Sequence, residues 1–323
     1  LLSVIVVTPH GYETIERTMA HLRAQTIHDR LEVLIAAPSS EELAMPPSER
    51  QGLMRVEVVE VGPIESSAHS RAVAVRRASA AIVALAEDHS FPQPDWAEML
   101  VSAHRQPWAA VGPVLENANP SSLTSWANLL VEYAPFLHPA RAAEAEHLPG
   151  HNSSYKRDLL LQYGPELGAM LEAESVLHWD LAARGHGLYL EPAARVRHLN
   201  FSRPFSWLGL RFHGARAFAA ARSRSWPLWR RVVYACGGPL IPLVRLWRIV
   251  RELQRPGRPR HLLPTVLPLM TLALMADAAG EIAGYALGAG DSQRRLAGYE
   301  FDRWRYLTTE DRRSLAQMDE ALP

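Results

Sequence analysis

The chain has 323 residues, 48% hydrophobic and 21% charged. That excludes a disordered or low-complexity protein and allows one large domain or two ordinary ones. Cys236 is the single cysteine, so a disulfide framework and a cysteine-based zinc cluster are excluded. Lysine plus arginine and aspartate plus glutamate are 34 each, but the neutral total hides an uneven spread. Residues 203–260 hold 13 arginines against Glu252 alone, a net of +12; residues 261–323 net −3, which leaves −9 on residues 1–202.

The first two hundred residues alternate strand and helix signals. Leu2–Val7 is a continuous, largely β-branched run suited to a doubly covered parallel strand. It shows no basic leader, so the sequence predicts a cytoplasmic body. Helical spacing comes next over 12–25, with Ile15, Met19 and Leu22 on one side. Strands are predicted over 31–36 and 55–61, a helix over 66–80, and a strand over 81–86. Asp95 is placed to cap a helix through Trp96, Met99 and Leu100, and 109–114 is a further strand. Such alternation predicts an α/β domain with a mostly parallel sheet, with ligands outside the carboxyl ends of the strands. The ends of interest are Thr8–Tyr12, Ala37–Ser40 and Glu87–His89.

From Phe205 the pattern is helical: 205–224, 228–254, 262–289 and 292–307, with a Pro/Gly/Arg break over 255–260. The best apolar run, Leu262 to Ala276, is interrupted by Pro264 and Pro268 and ends at Asp277, so no spanning helix is expected. Over 240–254, Leu243, Leu246, Trp247, Val250 and Leu253 share one side, and Arg245, Arg248 and Glu252 the other. Trp207, Trp226, Trp229 and Trp247 suit a membrane interface or a helical core equally. The sequence therefore divides into an α/β domain, 1–202, and a basic helical extension, 203–323. The extension is expected to meet an anionic membrane surface rather than nucleic acid, for which no motif is present. That puts the protein at the inner face of the cell membrane, peripheral or monotopic.

The chemistry concentrates at Glu87-Asp88-His89, which end an apolar strand and precede Phe91-Pro92-Gln93-Pro94-Asp95-Trp96. Carboxylate and imidazole are ligands for a divalent ion that bridges a diphosphate. His10, His69, His151 and His186 read instead as surface or hydrogen-bonded histidines, and no P-loop is present.

Over residues 2–200 the chain resembles the family 2 glycosyltransferases of GT-A fold. The resemblance is carried by the first strand with Thr8-Pro9, Ala24-Gln25-Thr26, the strand 31–35, Ser70-Arg71-Ala72 and the Glu87–Trp96 stretch. Further along it is carried by Gly150-His151-Asn152-Ser153-Ser154-Tyr155-Lys156-Arg157, Glu172-Ala173-Glu174 ahead of Gly185, and Val196-Arg197-His198. The resemblance implies a GT-A domain, Rossmann-like, with a C-terminal helical extension. It implies metal-dependent, inverting transfer of a sugar from a nucleotide-sugar, a UDP-sugar as first candidate, to an acceptor hydroxyl. Thr8, Pro9, Ser39, Arg71, Glu87 and Asp88 would face the donor, and Asn152 and Tyr155 the acceptor. Asp88, His89 and His198 would hold Mn2+ or Mg2+. Glu174 would be the general base, with Glu172 in reserve. The basic extension suits a lipid-linked acceptor. The family's Asp-Asp-Gly-Ser after the second strand is here Ala37-Pro38-Ser39-Ser40, which motivates an alternative: a glycosyltransferase-like scaffold that binds without catalysis.

Overall fold

A computed structural model describes residues 1–319. The described chain forms two compact units. One comprises 1–116 with 138–198; the other comprises 117–137 with 199–318. The excursion 117–137 comes from the stretch that the sequence assigns to the α/β domain.

The first unit is built on strands β1 (Leu2–Val7), β2 (Leu31–Ala37), β3 (Arg55–Glu60), β4 (Ile82–Leu85), β5 (Ser90–Pro92), β6 (Ala110–Asn117), β7 (Ala143–Glu144), β8 (Ser154–Lys156) and β9 (Leu188–His198). Their order is β3-β2-β1-β4-β8-β6-β9-β5, with β7 against β9. The first four are parallel, in registers such as Val4↔Val33, Val33↔Val56 and Val4↔Ala84. β8 is antiparallel to β4 and to β6, and β5 and β7 are antiparallel to β9. This is the expected α/β class, with the parallel half read correctly. β1 and β2 are buried throughout, which is why they read as apolar runs broken only by Ser3 and Glu32, a pair bonded to each other.

Helices α1 (Glu16–Arg23), α2 (Ser40–Leu43), α3 (Ser67–Arg77), α4 (Trp96–Ala103), α6 (Arg157–Leu161), α7 (Leu167–Leu171) and α8 (Glu174–Ala183) connect these strands; α5 (Leu123–Tyr133) belongs to the second unit. Asp95 does not cap α4 through its side chain; Gln25 Oε1 instead accepts from the Ala97 N–H at 3.0 Å. That contact gives the Ala24-Gln25-Thr26 signature its physical meaning, since Gln25 Nε2 also donates to the Gln93 carbonyl at 2.9 Å. Away from the strand tips, Glu32 is fully buried on β2. It accepts from Ser3 Oγ, from the Ser79 N–H at 2.8 Å and from Arg55 at 2.7 Å, so its charge is fully hydrogen-bonded.

The second unit contains α5 with α9 (Pro204–Arg222), α10 (Leu228–Gly237), α11 (Ile241–Leu253), α12 (Leu263–Leu287), α13 (Ser292–Phe301) and α14 (Thr309–Asp319). The expected helix over 228–254 is divided by a 3-10 turn at Gly238–Leu240. The expectation of no helix long enough to span is corrected. Two segments, Leu228–Leu253 and Arg260–Leu287, are long and apolar enough to cross a membrane by length and composition. Pro264 sits in the first turn of α12, where its missing N–H costs nothing, and Pro268 removes a single ladder bond. Asp277 does not end the helix because its charge is answered inside the unit. Arg211 holds it with two bonds, at 2.8 and 2.7 Å, and Arg245 donates to it as well. Arg245 therefore turns inward, contrary to the polar face assigned to α11. Leu243 and Trp247, on the apolar side of α11, are exposed, whereas Leu253 is buried. Trp207 is core, whereas Trp229 and Trp247 are exposed.

Candidate active site

Glu87, Asp88 and His89 lie between the end of β4 and the start of β5. The antiparallel register Ser90↔His198 sets the end of β9 beside them, and this pairing brings a residue 109 positions away into the same group. Glu87, His89 and His198 are all buried, and one ligand atom from each lies within 4.8 Å of the others. His89 Nε2 is 3.5 Å from Glu87 Oε1, and His198 Nε2 is 3.6 Å from Glu87 Oε2. The two imidazoles meet edge to face at 5.2 Å. Asp88 stands outside this trio: its Oδ1 is 2.5 Å from His89 Nδ1. A proton on Nδ1 leaves the lone pair of Nε2 facing Glu87, the arrangement a metal-binding histidine needs.

Glu87 is oriented by two further donors, Ser90 Oγ at 2.9 Å and Asn152 Nδ2 at 2.8 Å. Burial alone would raise its pKa, but the charges of His89, His151, His198 and Arg71 outweigh burial and hold the Glu87 pKa well below the usual carboxylate range. A buried carboxylate with two buried imidazoles is a donor set that fits a divalent cation of borderline softness.

A second cluster lies around the loop Gly150–Asn152. His151 Nδ1 is 2.7 Å from Glu174 Oε1 and 2.6 Å from Arg71 Nη1, and Arg71 Nη1 is 3.6 Å from the same Glu174 oxygen. Arg71 comes from the middle of α3 and Glu174 from the first turn of α8. A Cβ on Gly150 would fall 2.5 Å from the Cβ of Glu174, so only glycine lets the loop approach so closely. Glu174 would be raised by burial, but the charge and hydrogen bond of His151, helped by Arg71, hold it below its ordinary value. His151 is lowered by burial and by Arg71, and raised to about 9 mainly by Glu174, with Glu87 adding to it.

Thr8 is buried at the end of β1 and pairs with Thr14 Oγ1 at 2.8 Å; Pro9 is the next residue. Ser39 is the N-cap of α2, accepting from the Glu42 N–H at 3.0 Å. The neighbouring Ser40 N–H donates to Glu60, at the end of β3, at 2.9 Å. Asn152 bonds Glu87, as above. Tyr155 is buried on β8, with its hydroxyl 3.0 Å from His178 Nε2. Glu172 is the C-cap of α7, two residues before Glu174. His151 reads in the sequence as an ordinary loop histidine; its place between Gly150 and Asn152 of a site loop is the signal that points to more.

The sequence model of the glycosyl transferase family 2 matches residues 3–164. No curated protein sequence matches the chain. Among solved structures it is similar to GalNAc-T7 crystallised with UDP, GalNAc and Mn2+, at 14% identity and a TM-score of 0.47, over 61% of this chain and 43% of that one. It is also similar to Staphylococcus aureus TarS 1–349 in complex with UDP, at 14% identity and a TM-score of 0.43, over 94% and 91% of the two chains. A mycobacterial protein is similar at 17% identity and a TM-score of 0.43, over 69% and 73%. The chain thus spans 43% of the length of the first of these. These likenesses are remote and assign nothing to this chain.

Proposed function

The chain belongs to the glycosyl transferase family 2, and from that membership we propose that it moves a sugar from a nucleotide-sugar to an acceptor hydroxyl with inversion at the anomeric carbon. The observation that carries the reading is the pair of charged clusters joined by one loop. Glu87, His89 and His198 meet at the tip of β4, Arg71, His151 and Glu174 meet across Gly150–Asn152, and Asn152 bonds Glu87.

Glu87, His89 and His198 are the residues that would hold a divalent cation, Mn2+ before Mg2+ because two of the three ligands are imidazole nitrogens. When bound, such an ion supplies positive charge against the leaving diphosphate. Asp88 fixes the His89 ring, and Asn152 and Ser90 fix the Glu87 carboxylate. Arg71 brings a fixed positive charge for the diphosphate. Glu174 takes the acceptor's hydroxyl proton as its oxygen attacks the anomeric carbon and the bond to the diphosphate oxygen breaks. Thr8, Pro9 and Ser39, at the ends of β1 and β2, border the donor in this reading, with a UDP-sugar as first candidate. Tyr155 stays a neutral phenol because burial and the Glu174 charge both push it up. It therefore serves the acceptor side as a hydrogen-bonding group and not as a base.

The place of action in this reading is the inner face of the membrane, peripheral or monotopic, with a lipid-linked acceptor. The support is the basic composition of 203–260 and the exposed apolar side chains of α10 and α11.

Thermal unfolding against UDP, GDP, dTDP and CDP, with and without Mn2+, tests the reading. A ligand at a hundred times its Kd stabilises the native state by about 2.7 kcal/mol. The expected result is a metal-dependent shift with one nucleotide, abolished in His89→Ala and His198→Ala. Absence of any shift would support the non-catalytic scaffold, since Ser39 is then only the helix cap it is seen to be.

A further inference from the structure

We infer that His151 is a positioning residue that masks Glu174 through a hydrogen bond from Nδ1 and releases it when that nitrogen loses its proton and accepts from Arg71. The inference deepens the reading of Glu174 as the base and rests on it. One ring nitrogen lies 2.7 Å from the Glu174 carboxylate and 2.6 Å from the Arg71 guanidinium. It cannot serve both. Protonated, it donates to Glu174 and turns no lone pair to Arg71; unprotonated, it accepts an N–H from Arg71 and offers Glu174 nothing. The proton on His151 Nδ1 therefore decides which neighbour is bonded, without any movement of the backbone.

Little room exists for another arrangement. Gly150 lies against Glu174 closely enough that a Cβ would clash, so the glycine is what lets the loop set His151 beside the carboxylate. The His151 side chain is 38% exposed and that of Glu174 only 11%, so the histidine is the member that exchanges its proton with solvent. The charged groups facing His151 are Glu174 from α8, Arg71 from α3 and Glu87 from the end of β4. The two carboxylates outweigh the guanidinium and burial, which raises the imidazole to about 9. At neutral pH the carboxylate is accordingly tied up. Transfer proceeds through the fraction with neutral His151, whose proton has gone to water, and the acceptor's proton then passes to Glu174.

The test is the pH dependence of kcat/KM for sugar transfer by the full chain, for the parent, H151Q and H151A. In the parent, kcat/KM should rise about tenfold per pH unit until His151 has lost its proton and then level off. H151Q donates to Glu174 through an amide that does not ionise, so the alkaline rise should vanish; H151A should lose it too and exceed the parent at pH 7. A rise that persists in both variants overturns the inference, as does an active parent with a flat profile. A parent that transfers no sugar at any pH overturns the functional reading and this inference together. Independently of turnover, the imidazole 15N shifts of His151 in the metal-free protein should titrate near 9 in the parent and at a lower pH in E174Q. Titration of His151 at an ordinary histidine value in the parent overturns the inference even if the enzyme is active.

Discussion

A buried carboxylate is tolerated only where donors surround it, and Glu87 and Glu32 meet that requirement in different ways. Glu87 is held ionised by imidazoles and an amide; Glu32 is held by hydroxyls, a backbone N–H and an arginine. Burial would raise Glu32, but the bonds from Ser3 and Ser79 and the Arg55 charge bring it below its ordinary value. A depressed carboxylate stabilises the fold fully above its unfolded value, and that contribution is lost as the pH falls through the folded one. Glu32→Gln should therefore lower stability by roughly 3 kcal/mol at pH 7, because it removes hydrogen bonds to a charged group. The deficit relative to the parent should shrink as the pH falls below about 4. Urea unfolding at pH 7 and pH 3.5 checks both statements, and an equal deficit at the two would show that the carboxylate's charge contributes nothing. At this scale the strand-tip motif was legible, since Glu87-Asp88-His89 break an apolar strand abruptly with three ionisable side chains. The role of His151 was not, because the Glu174 that fixes it lies 23 residues on, and only the packing of α8 against the loop joins them.

Long elements were legible wherever burial was uniform along them. β1, β2 and β4 gave predominantly apolar runs and were placed to within a residue or two. β5, β7 and β8 are two or three residues each, too short for any periodicity, and exist because β9, β4 and β6 present open edges to pair with. α12 was legible as a helix over 262–289, but not as a segment long and apolar enough to span, because counting apolar residues treats Asp277 as a stop. Ion pairing with Arg211 and Arg245 removes that stop, and no local rule shows it. The helix carries glycines at 280 and 284, one turn apart, where α9 comes against it. A Cβ on Gly280 would lie 2.3 Å from the Phe212 carbonyl oxygen, and one on Gly284 2.4 Å from that of Arg216. Backbone atoms cannot swing aside, so Gly284→Ala should destabilise by about 1–3 kcal/mol although alanine is the better helix former. Gly298, inside α13, meets nothing within 4 Å, so Gly298→Ala should stabilise by up to about 1 kcal/mol. Opposite shifts in Tm for the two alanines are the expected outcome; two stabilising shifts would mean that α9 and α12 are not so closely apposed.

At the scale of the whole molecule, charge and apolar exposure fall together on the second unit. α10 and α11 leave Leu228, Trp229, Val232, Val233, Leu243 and Trp247 exposed, with Trp229 at 68% and Trp247 at 60%. Such an apolar surface in water calls for a partner. Arg230, Arg231, Arg248 and Arg251 lie on the same helices, so a partner with negative charge is favoured. Threading 228–253 straight across a bilayer would put these four arginines near its ends, where they can reach the headgroups, and only Arg245 closer to the centre, where an arginine costs about 2.5–3.5 kcal/mol. Lying in the plane of the headgroups instead buries the tryptophans and leaves the guanidinium groups among phosphates, at about 1 kcal/mol gained per arginine. Length and composition admit the first arrangement; the peripheral reading proposed above corresponds to the second. The full chain should float with vesicles containing an anionic phospholipid, bind neutral phosphatidylcholine vesicles weakly, and lose the difference at high salt. Trp229→Ser with Trp247→Ser should weaken binding to both kinds of vesicle. Arg248→Gln with Arg251→Gln should weaken only the anionic case, by roughly tenfold to thirtyfold. Equal binding to neutral and anionic vesicles would remove the electrostatic part of the argument. Binding to neither would mean that the arginines and tryptophans of α10 and α11 meet something other than lipid, and the membrane location would fall with them.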